Sequence, residues 1–382
     1  MILKKNLTPE ETICRDLWAY PVIDLGRPRV RTCCKRLGDF VTEGQIKTLG
    51  TEIFLNIPKT QSERKEMIQG TQVEGCRVCW DQENNGQRSF RLGWKDWQYH
   101  FNNNNGDPVP SDNFRPFKEL VKTPDDFIKS NKPNKLDIIM GTFCDQKCVY
   151  CCSDFSTQWE SEDAKFGALW NDPRNPKIQK NTIPINNQTI DSWYELFLSW
   201  FDSIHEHLER IALLGGEPTF SPYFKPLSEH IIKKLNERHH PNCTLSIVTN
   251  MNWKKDVLDH LLKIREELPN EVKMVIEVSM ESIGEKAEYI RKGVDWNRFI
   301  QNLNLIVQNP NLEITLVPTV NSLCVTSFID YLKKIKEIEN FYNVEFKIIA
   351  NSVVFPKWLS ISALDSRFIP YIDECIRWLK SN

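Results

Sequence analysis

The sequence has 382 residues with a formal net charge of −2, and it contains 40% hydrophobic and 26% charged residues. This composition is ordinary for a globular protein with a sizeable core, and the length predicts two or three domains. Because no block of basic residues is present, neither nucleic acid nor an anionic membrane is expected as a partner.

Two further whole-chain features bear on the compartment. The sequence contains no apolar run as long as a membrane span, and Met1–Asn6 lacks the apolar core of a signal peptide. We therefore expect a cytoplasmic protein. The chain has 12 cysteines, and clustered cysteines in a reducing compartment favour metal binding or catalysis over disulfides.

The first hundred residues show no βα repeat but contain five cysteines: Cys14, Cys33, Cys34, Cys76 and Cys79. Cys76 and Cys79 form a C-x2-C loop that can bind a metal, and Cys14 and Cys33 could complete a shell of four thiolates. Cys33 and Cys34 are adjacent, so we expect only one of them to be a ligand, and the sequence does not choose between them. A four-cysteine zinc site is the alternative to an iron–sulfur cluster.

Residues 101–134 are predicted to be a linker that follows the N-terminal module (residues 1–100). The run Asn102–Pro108 is rich in loop-forming residues. An aromatic segment, Trp94–Phe101, precedes it, and a short helix is predicted over Phe117–Val121.

From residue 135 to residue 351, strands and helices alternate, which predicts an α/β domain with a parallel sheet and right-handed crossovers. The apolar residues of Val272–Met280 recur at every second position, which predicts one buried face. Residues 352–382 are predicted to be a C-terminal extension with a helix. The predicted strands are Lys135–Thr142, Arg210–Leu214, Thr244–Thr249, Val272–Met280, Leu312–Pro318 and Val344–Ala350. The predicted helices are Thr189–Leu208, Lys255–Glu267, Glu285–Val307, Ser327–Ile338 and Phe368–Leu379.

A C-x3-C-x2-C sequence, formed by Cys144, Cys148 and Cys151, follows the first predicted strand. Three thiolates can ligate three irons of a four-iron cluster and leave the fourth iron open to a small molecule. The alternative is a structural zinc loop, but zinc sites usually pair C-x2-C with another C-x2-C or with histidine.

The spacing of these cysteines resembles that of the radical SAM superfamily, and Tyr150 fits the aromatic residue that precedes the third cysteine. The resemblance implies a partial (β/α)6 TIM-like barrel and a [4Fe–4S] cluster with three cysteine ligands. It also implies that S-adenosylmethionine binds the open iron through its amine and carboxylate. Reductive cleavage would then give a 5′-deoxyadenosyl radical, with an electron donor such as flavodoxin or ferredoxin.

The second predicted strand ends in Gly215-Gly216-Glu217-Pro218, which resembles the GGEP motif that holds the methionyl amine of S-adenosylmethionine in this family. Loops at the carboxyl ends of parallel strands build the site of a barrel. Glycine allows close backbone approach to a ligand, and Glu217 can accept a hydrogen bond from an ammonium group. A plain turn is the alternative.

Three more residues are predicted to bind the cofactor. Asn250 ends the third strand, and Ser279 matches a position whose hydroxyl meets the ribose or the carboxylate. Arg291 matches an arginine that reaches the methionyl carboxylate. The alternatives are a strand-end hydroxyl that bonds to backbone for Ser279 and a solvated helix face for Arg291.

The N-terminal cysteines resemble the SPASM/twitch module of radical SAM enzymes, which binds an auxiliary [4Fe–4S] cluster. Here the module precedes the C-x3-C-x2-C sequence, whereas in the best-known members it follows.

The resemblance implies hydrogen abstraction from a peptide or protein side chain, or from a sugar or another small metabolite. The residues Phe155–Pro184 are predicted to make contacts outside the core. A hypothesis from another class is a zinc-stapled, non-catalytic binding protein on a degenerate barrel.

Overall fold

The computed structural model describes residues 3–36, 38–92, 128, 133–169, 187–238 and 242–381. Trp94–Phe101, Phe117–Val121 and nearly all of the predicted linker lie outside these residues. The chain divides into two compact units. The first comprises Met1–Ile139 and Ile183–Ile211, and the second comprises Met140–Thr182 and Ala212–Asn382. The domain boundaries expected from the sequence stay a prediction.

Four strands of the first unit lie in the order β4-β1-β2-β3. They are β1 (Pro21–Asp24), β2 (Arg29–Thr32), β3 (Asp39–Phe40) and β4 (Lys135–Ile139). Strand β1 is parallel to β4 and antiparallel to β2, and Ile23 faces Ile138 and Val30 in the two registers. All residues of β1 are buried, as expected for a strand with a neighbour on each side.

The long helix of the first unit packs through an aromatic cluster. The ring of Phe54 lies 4.7 Å from that of Trp193 and 4.8 Å from that of Trp200, both on the helix Asn187–Ile204. That helix confirms the one predicted over Thr189–Leu208. The other α-helices among the described residues of this unit are Pro9–Thr12, Asp16–Ala19, Glu43–Leu49, Pro58–Ile68 and Arg77–Asn84. Its 3₁₀ turns are Gly50–Phe54, Glu74–Cys76 and His205–His207.

The second unit contains the parallel strands β12, β10, β8 and β7, in that order, and β6 lies next to β7. They are β6 (Arg210–Leu214, which begins in the first unit), β7 (Thr244–Thr249), β8 (Lys273–Val278), β10 (Leu312–Leu316) and β12 (Lys347–Ile348). Two small sheets pair β5 (Lys147–Cys148) with β9 (Arg291–Lys292), and β11 (Thr319–Val320) with β13 (Asn351–Ser352).

All six predicted strands are present, and the α/β fold of the partial TIM-like barrel class is confirmed. Met274, Ile276 and Val278 of β8 are fully buried, so the alternating pattern marked the core face correctly. The α-helices of the second unit are Thr157–Phe166, Phe224–Asn236, Lys255–Glu267, Gly284–Ile290, Trp296–Val307, Phe328–Tyr342 and Ile369–Ser381. Its 3₁₀ turns are Pro218–Phe220, Lys357–Leu359, Ile361–Ala363 and Ser366–Phe368.

The prediction of one long helix over Glu285–Val307 is wrong. The chain leaves the helix at Ile290, forms β9 and begins a new helix at Trp296. Gly293 has a φ of 110°, which L side chains rarely adopt, and a Cβ there would lie 2.6 Å from Asp145 O. The side chain of Asp295 then caps the second helix by accepting from Arg298 N.

Candidate functional site

The three cysteines of the C-x3-C-x2-C sequence lie on one loop of the second unit. Cys148 is in β5 and pairs with Arg291 in β9. Cys151 N donates to Cys148 O at 3.0 Å, which closes the turn between these two cysteines. Cys144 and Cys148 are buried, and Cys151 is half-buried. The backbone therefore fixes the loop before any ligand binds.

The segment that follows the loop supports it with side-chain hydrogen bonds. Trp159 Nε1 donates to Cys148 O at 2.9 Å. The hydroxyl of Ser156 donates to Gln146 O at 2.8 Å, and Cys144 N donates to the hydroxyl of Thr157 at 3.3 Å. The start of the segment predicted to make contacts outside the core thus stabilises the cysteine loop.

The rest of that segment has a different character. Residues 170–184 lie outside the described residues, and in the described part Phe166 is 82% exposed. A role in contacts outside the core stays a prediction.

Burial raises the pKa of Cys144 to about 12 and the pKa of Cys148 to about 11. Burial also raises the pKa of Cys151 well above its usual value. The thiols are therefore protonated near neutral pH in the metal-free chain, and ligation of a cluster would release their protons.

One orphaned polar atom indicates that the loop suits a cluster. Gln146 is 1% exposed, and its Nε2 has no hydrogen-bond partner among the described residues. Its Oε1 lies 3.7 Å from Cys148 Sγ. The unpaired Nε2 belongs to the amide whose oxygen faces the Cys148 thiol. Its N–H could donate to a cluster sulfur, and hydrogen bonds to sulfur are a usual feature of iron–sulfur sites.

Arg291 lies in a buried network rather than on a solvated helix face. Its guanidinium is 2.6 Å from Glu281 Oε2, and both side chains are almost fully buried. Tyr150 OH donates to Glu281 Oε1 at 3.2 Å, and the Arg291 guanidinium lies over the Tyr150 ring. Arg291 Nη1 also lies 3.9 Å from Cys148 Sγ. The Arg291 guanidinium therefore pairs with Glu281 and contacts the Cys148 thiol.

The glycines of the GGEP motif allow two backbone segments to touch. A Cβ at Gly215 would lie 2.8 Å from Gly141 O, and a Cβ at Gly216 would lie 2.5 Å from Phe143 O. Glu217 N donates to Phe143 O at 2.7 Å. Any other residue at these positions would push the motif away from the segment that leads into Cys144.

Glu217 is buried, with 3% of its surface exposed. Its Oε1 accepts from Thr219 Oγ1 at 2.6 Å and from Thr249 Oγ1 at 3.0 Å. Its Oε2 accepts from Asn250 N at 2.7 Å. Burial raises the pKa of Glu217 to about 7, and these hydrogen bonds limit the rise.

Asp145 connects the cysteine loop with the end of β7, although the sequence analysis did not single it out. Its two carboxylate oxygens accept from Asn250 Nδ2 at 2.8 Å and from Asn252 Nδ2 at 2.9 Å. Asn250 thus joins Glu217 through its backbone and Asp145 through its side chain. The three-cysteine loop, the GGEP motif and the end of β7 form one hydrogen-bonded site.

Two further predicted residues, Ser279 and Pro218, lie beside this hydrogen-bonded network. Ser279 is half-buried, and its amide donates to Thr249 O at 2.9 Å. Pro218 is buried and begins the 3₁₀ turn after Glu217.

Glu281, Asp145 and Gln146 were missed because no familiar spacing marks them. Their proximity in sequence to Ser279 and Cys144 was the available signal.

The N-terminal cysteines form a second cluster of thiols, in the first unit. Cys14, Cys33, Cys76 and Cys79 line one small cavity. Burial raises the pKa of Cys76 to about 12 and also raises the pKa of Cys79. Burial raises the pKa of Cys14 well above its usual value as well.

Cys33 and Cys34 differ in their position relative to this cavity. Cys33 has a φ of 74° and is buried at the cavity, whereas Cys34 is not among the residues that line it. Cys34 packs against the cluster of Tyr20, Val22 and Cys33. A hydrogen bond with the Cys33 thiol lowers the pKa of Cys34 to about 7. The geometry therefore points to Cys33 as the fourth cysteine of the set.

Two buried arginines line the same cavity and bring N–H donors to it. Arg36 and Arg91 are 5% and 3% exposed, and each has a carboxylate partner, Glu63 and Glu83 respectively. Arg36 Nε is buried and has no partner among the described residues. A cluster ligated by four thiolates would give that N–H an acceptor.

Among the described residues, no group of three or more His, Cys, Asp or Glu side chains is close enough to hold a single metal ion. A four-iron cluster binds each thiolate to a different iron, so its ligands need not be as close together as those of one ion. In the described part of the chain, no helix has the length and apolar character of a membrane span.

Fold and site together define the class: an α/β protein of the partial TIM-barrel type with cysteine sets suited to metal clusters. Residues 138–332, just over half of the chain, match the family model of the radical SAM superfamily. The chain belongs to this superfamily. The family implies a [4Fe–4S] cluster and S-adenosylmethionine as cofactors, which favours the radical interpretation over the zinc-stapled binding protein.

Several solved structures are similar to parts of the chain. "Native anSMEcpe with bound AdoMet" is 17% identical with a TM-score of 0.36, and the match covers 59% of this chain and 52% of that chain. A structure of TYW1 with a lysine-pyruvate adduct bound is 16% identical with a TM-score of 0.30, covering 56% and 62%. The chain thus spans about half to three-fifths of these structures. No curated protein matches the sequence significantly.

Proposed function

We propose that the chain cleaves S-adenosylmethionine reductively and uses the product to abstract hydrogen from a substrate. In this proposal Cys144, Cys148 and Cys151 hold the catalytic cluster. When bound, that cluster supplies the electron that cleaves S-adenosylmethionine to the 5′-deoxyadenosyl radical. The substrate class stays open between a peptide or protein side chain and a sugar or other small metabolite.

The observation that carries the proposal is the hydrogen-bonded chain from Glu217 through Asn250 to Asp145 of the cysteine loop. It joins a carboxylate suited to an amine with thiolates suited to a cluster. Oε2 of Glu217 accepts one hydrogen bond, from Asn250 N, and keeps capacity for a second. This oxygen would accept from the methionyl amine.

We further propose that Cys14, Cys33, Cys76 and Cys79 ligate an auxiliary [4Fe–4S] cluster in a SPASM/twitch-like module. Four thiolates can ligate every iron of a cube. Such a cluster has no open position for S-adenosylmethionine, so its role would be to transfer electrons, for example from the substrate radical. The shared cavity and its two buried arginines support this assignment.

The test is metal and sulfide analysis of anaerobically purified and reconstituted protein. About eight irons and eight sulfides per chain are expected, because each [4Fe–4S] cluster contains four of each. The protein should be brown, with broad visible absorbance. Colourless protein that carries stoichiometric zinc would overturn the proposal.

A further inference from the structure

The cavity of the N-terminal cysteines contains a buried arginine that has one unpaired guanidinium N–H among the described residues. Arg36 lines this cavity, and its side chain is 3% exposed. One guanidinium nitrogen, Nη2, binds Glu63. A second, Nη1, lies 3.9 Å from Cys76 Sγ, and the third, Nε, has no partner among the described residues.

The backbone holds this arginine against two of the cysteine segments. Arg36 N donates to Cys33 O at 3.3 Å, so the turn after Cys33 places the arginine. A Cβ at Gly75 would lie 2.5 Å from Glu63 Oε1 and 2.7 Å from Arg36 Nη2. The absence of a side chain at Gly75 thus leaves room for the ion pair next to Cys76.

We propose that Arg36 is a positioning residue of the auxiliary cluster: its guanidinium donates to sulfur of the cluster and raises the cluster's reduction potential. This inference rests on the proposed second cluster. Net charge and hydrogen bonds to sulfur set the potential of such clusters. Reduction adds one negative charge, so a buried cation at hydrogen-bond range stabilises the reduced form. Glu63 opposes this effect, because it adds a negative charge at the same place.

The test isolates the second cluster in the full-length chain. The Cys144→Ala, Cys148→Ala, Cys151→Ala triple variant removes the first site, and the remaining cluster is titrated by EPR-monitored redox potentiometry. Arg36→Gln should shift the midpoint potential to a more negative value, and Glu63→Gln should shift it to a more positive value. We expect at least a tenfold change in the reduced-to-oxidised ratio for Arg36→Gln, which is about 59 mV for one electron.

The opposite signs of the two shifts in midpoint potential distinguish electrostatic tuning of the cluster from a purely structural role of the ion pair. Both substitutions break the same ion pair, so a purely structural pair would affect the potential or iron content in the same direction. Arg77→Gln is the matched control. It removes a positive charge next to Cys76, but this side chain is 43% exposed, so solvent screening should leave the potential nearly unchanged.

If the triple variant without further change binds no iron, the proposed second cluster is wrong and this inference falls with it. If it binds about four irons but Arg36→Gln and Glu63→Gln leave the potential unchanged, the second cluster stands and the role of Arg36 is refuted. If Arg36→Gln cannot hold the cluster, the decision rests on Glu63→Gln. A positive shift supports the inference, and a zero or negative shift overturns it.

Discussion

Substitution of Glu217 tests the role of this residue in the proposed S-adenosylmethionine site. Oε1 of Glu217 accepts from Thr219 N, Thr219 Oγ1 and Thr249 Oγ1, whereas Oε2 accepts from Asn250 N. A carboxylate offers about four acceptor positions, and the remaining capacity lies on Oε2. The ligand amine should therefore gain one charge-assisted hydrogen bond from this residue.

The magnitude follows from that single bond. A hydrogen bond to a charged group contributes about 1.5–3 kcal/mol, and every 1.4 kcal/mol is tenfold in affinity. Glu217→Ala should therefore weaken S-adenosylmethionine binding by roughly tenfold to a hundredfold. Glu217→Gln should weaken it to a similar extent. An amide nitrogen in the position of Oε2 is a donor, so it could accept a hydrogen bond neither from Asn250 N nor from the ligand amine.

The assay is anaerobic calorimetric titration of cluster-loaded protein with S-adenosylmethionine, with iron measured in every variant. Iron content should be unchanged, and the exposed Glu285→Ala control should bind like wild type. Burial raises the pKa of Glu217 to about 7, so the ionised form dominates only above that pH. The affinity ratio of wild type to Glu217→Gln should grow from pH 6 to pH 8. Wild-type affinity in a folded, iron-replete Glu217→Gln variant would refute the assignment.

Two more predictions address the first unit. The Cys76→Ala, Cys79→Ala double variant should lose about half its iron and still release 5′-deoxyadenosine while forming little modified product. Unchanged iron per chain would show that these cysteines hold no cluster. Burial raises the pKa of Asp24 from 3.8 to about 6, so its protonated form stabilises the fold and this contribution is lost as pH rises through 6. Relative to Asp24→Asn, wild-type stability in urea should fall by about 1 kcal/mol from pH 5 to pH 7. A pH-independent difference would contradict this.

Much of the fold could be predicted because local pattern and tertiary environment agree. In β8 the apolar residues recur with period two and occupy one buried face, so periodicity alone located the strand. The helix over Lys255–Glu267 has the predicted bounds, since its amphipathic pattern is uninterrupted.

The helix break after Ile290 could not be predicted from helical periodicity. It depends on contacts distant in sequence: the pairing of Arg291 with Cys148, and the close approach of Gly293 to Asp145. The glycine was a visible signal, but a single glycine is compatible with a helix at a cost of about 1 kcal/mol.

Part of the candidate site could likewise be predicted from the sequence, and part could not. The cysteines and Glu217 were found because their spacing is distinctive. Glu281 was missed because a buried acid reveals itself only through its partner Arg291, ten positions along the chain. The choice between Cys33 and Cys34 depends on the backbone turn at Cys33, whose positive φ no local rule predicts for cysteine.

The central claim is that Cys144, Cys148 and Cys151 together hold a cluster that cleaves S-adenosylmethionine. The direct measurement is release of 5′-deoxyadenosine from S-adenosylmethionine with dithionite, in wild type and in each single Cys→Ala variant. We expect release by wild type and by Cys152→Ala, which changes the adjacent buried cysteine outside the C-x3-C-x2-C set. The three ligand variants should release none above background. A near wild-type rate in any one of them would contradict the account.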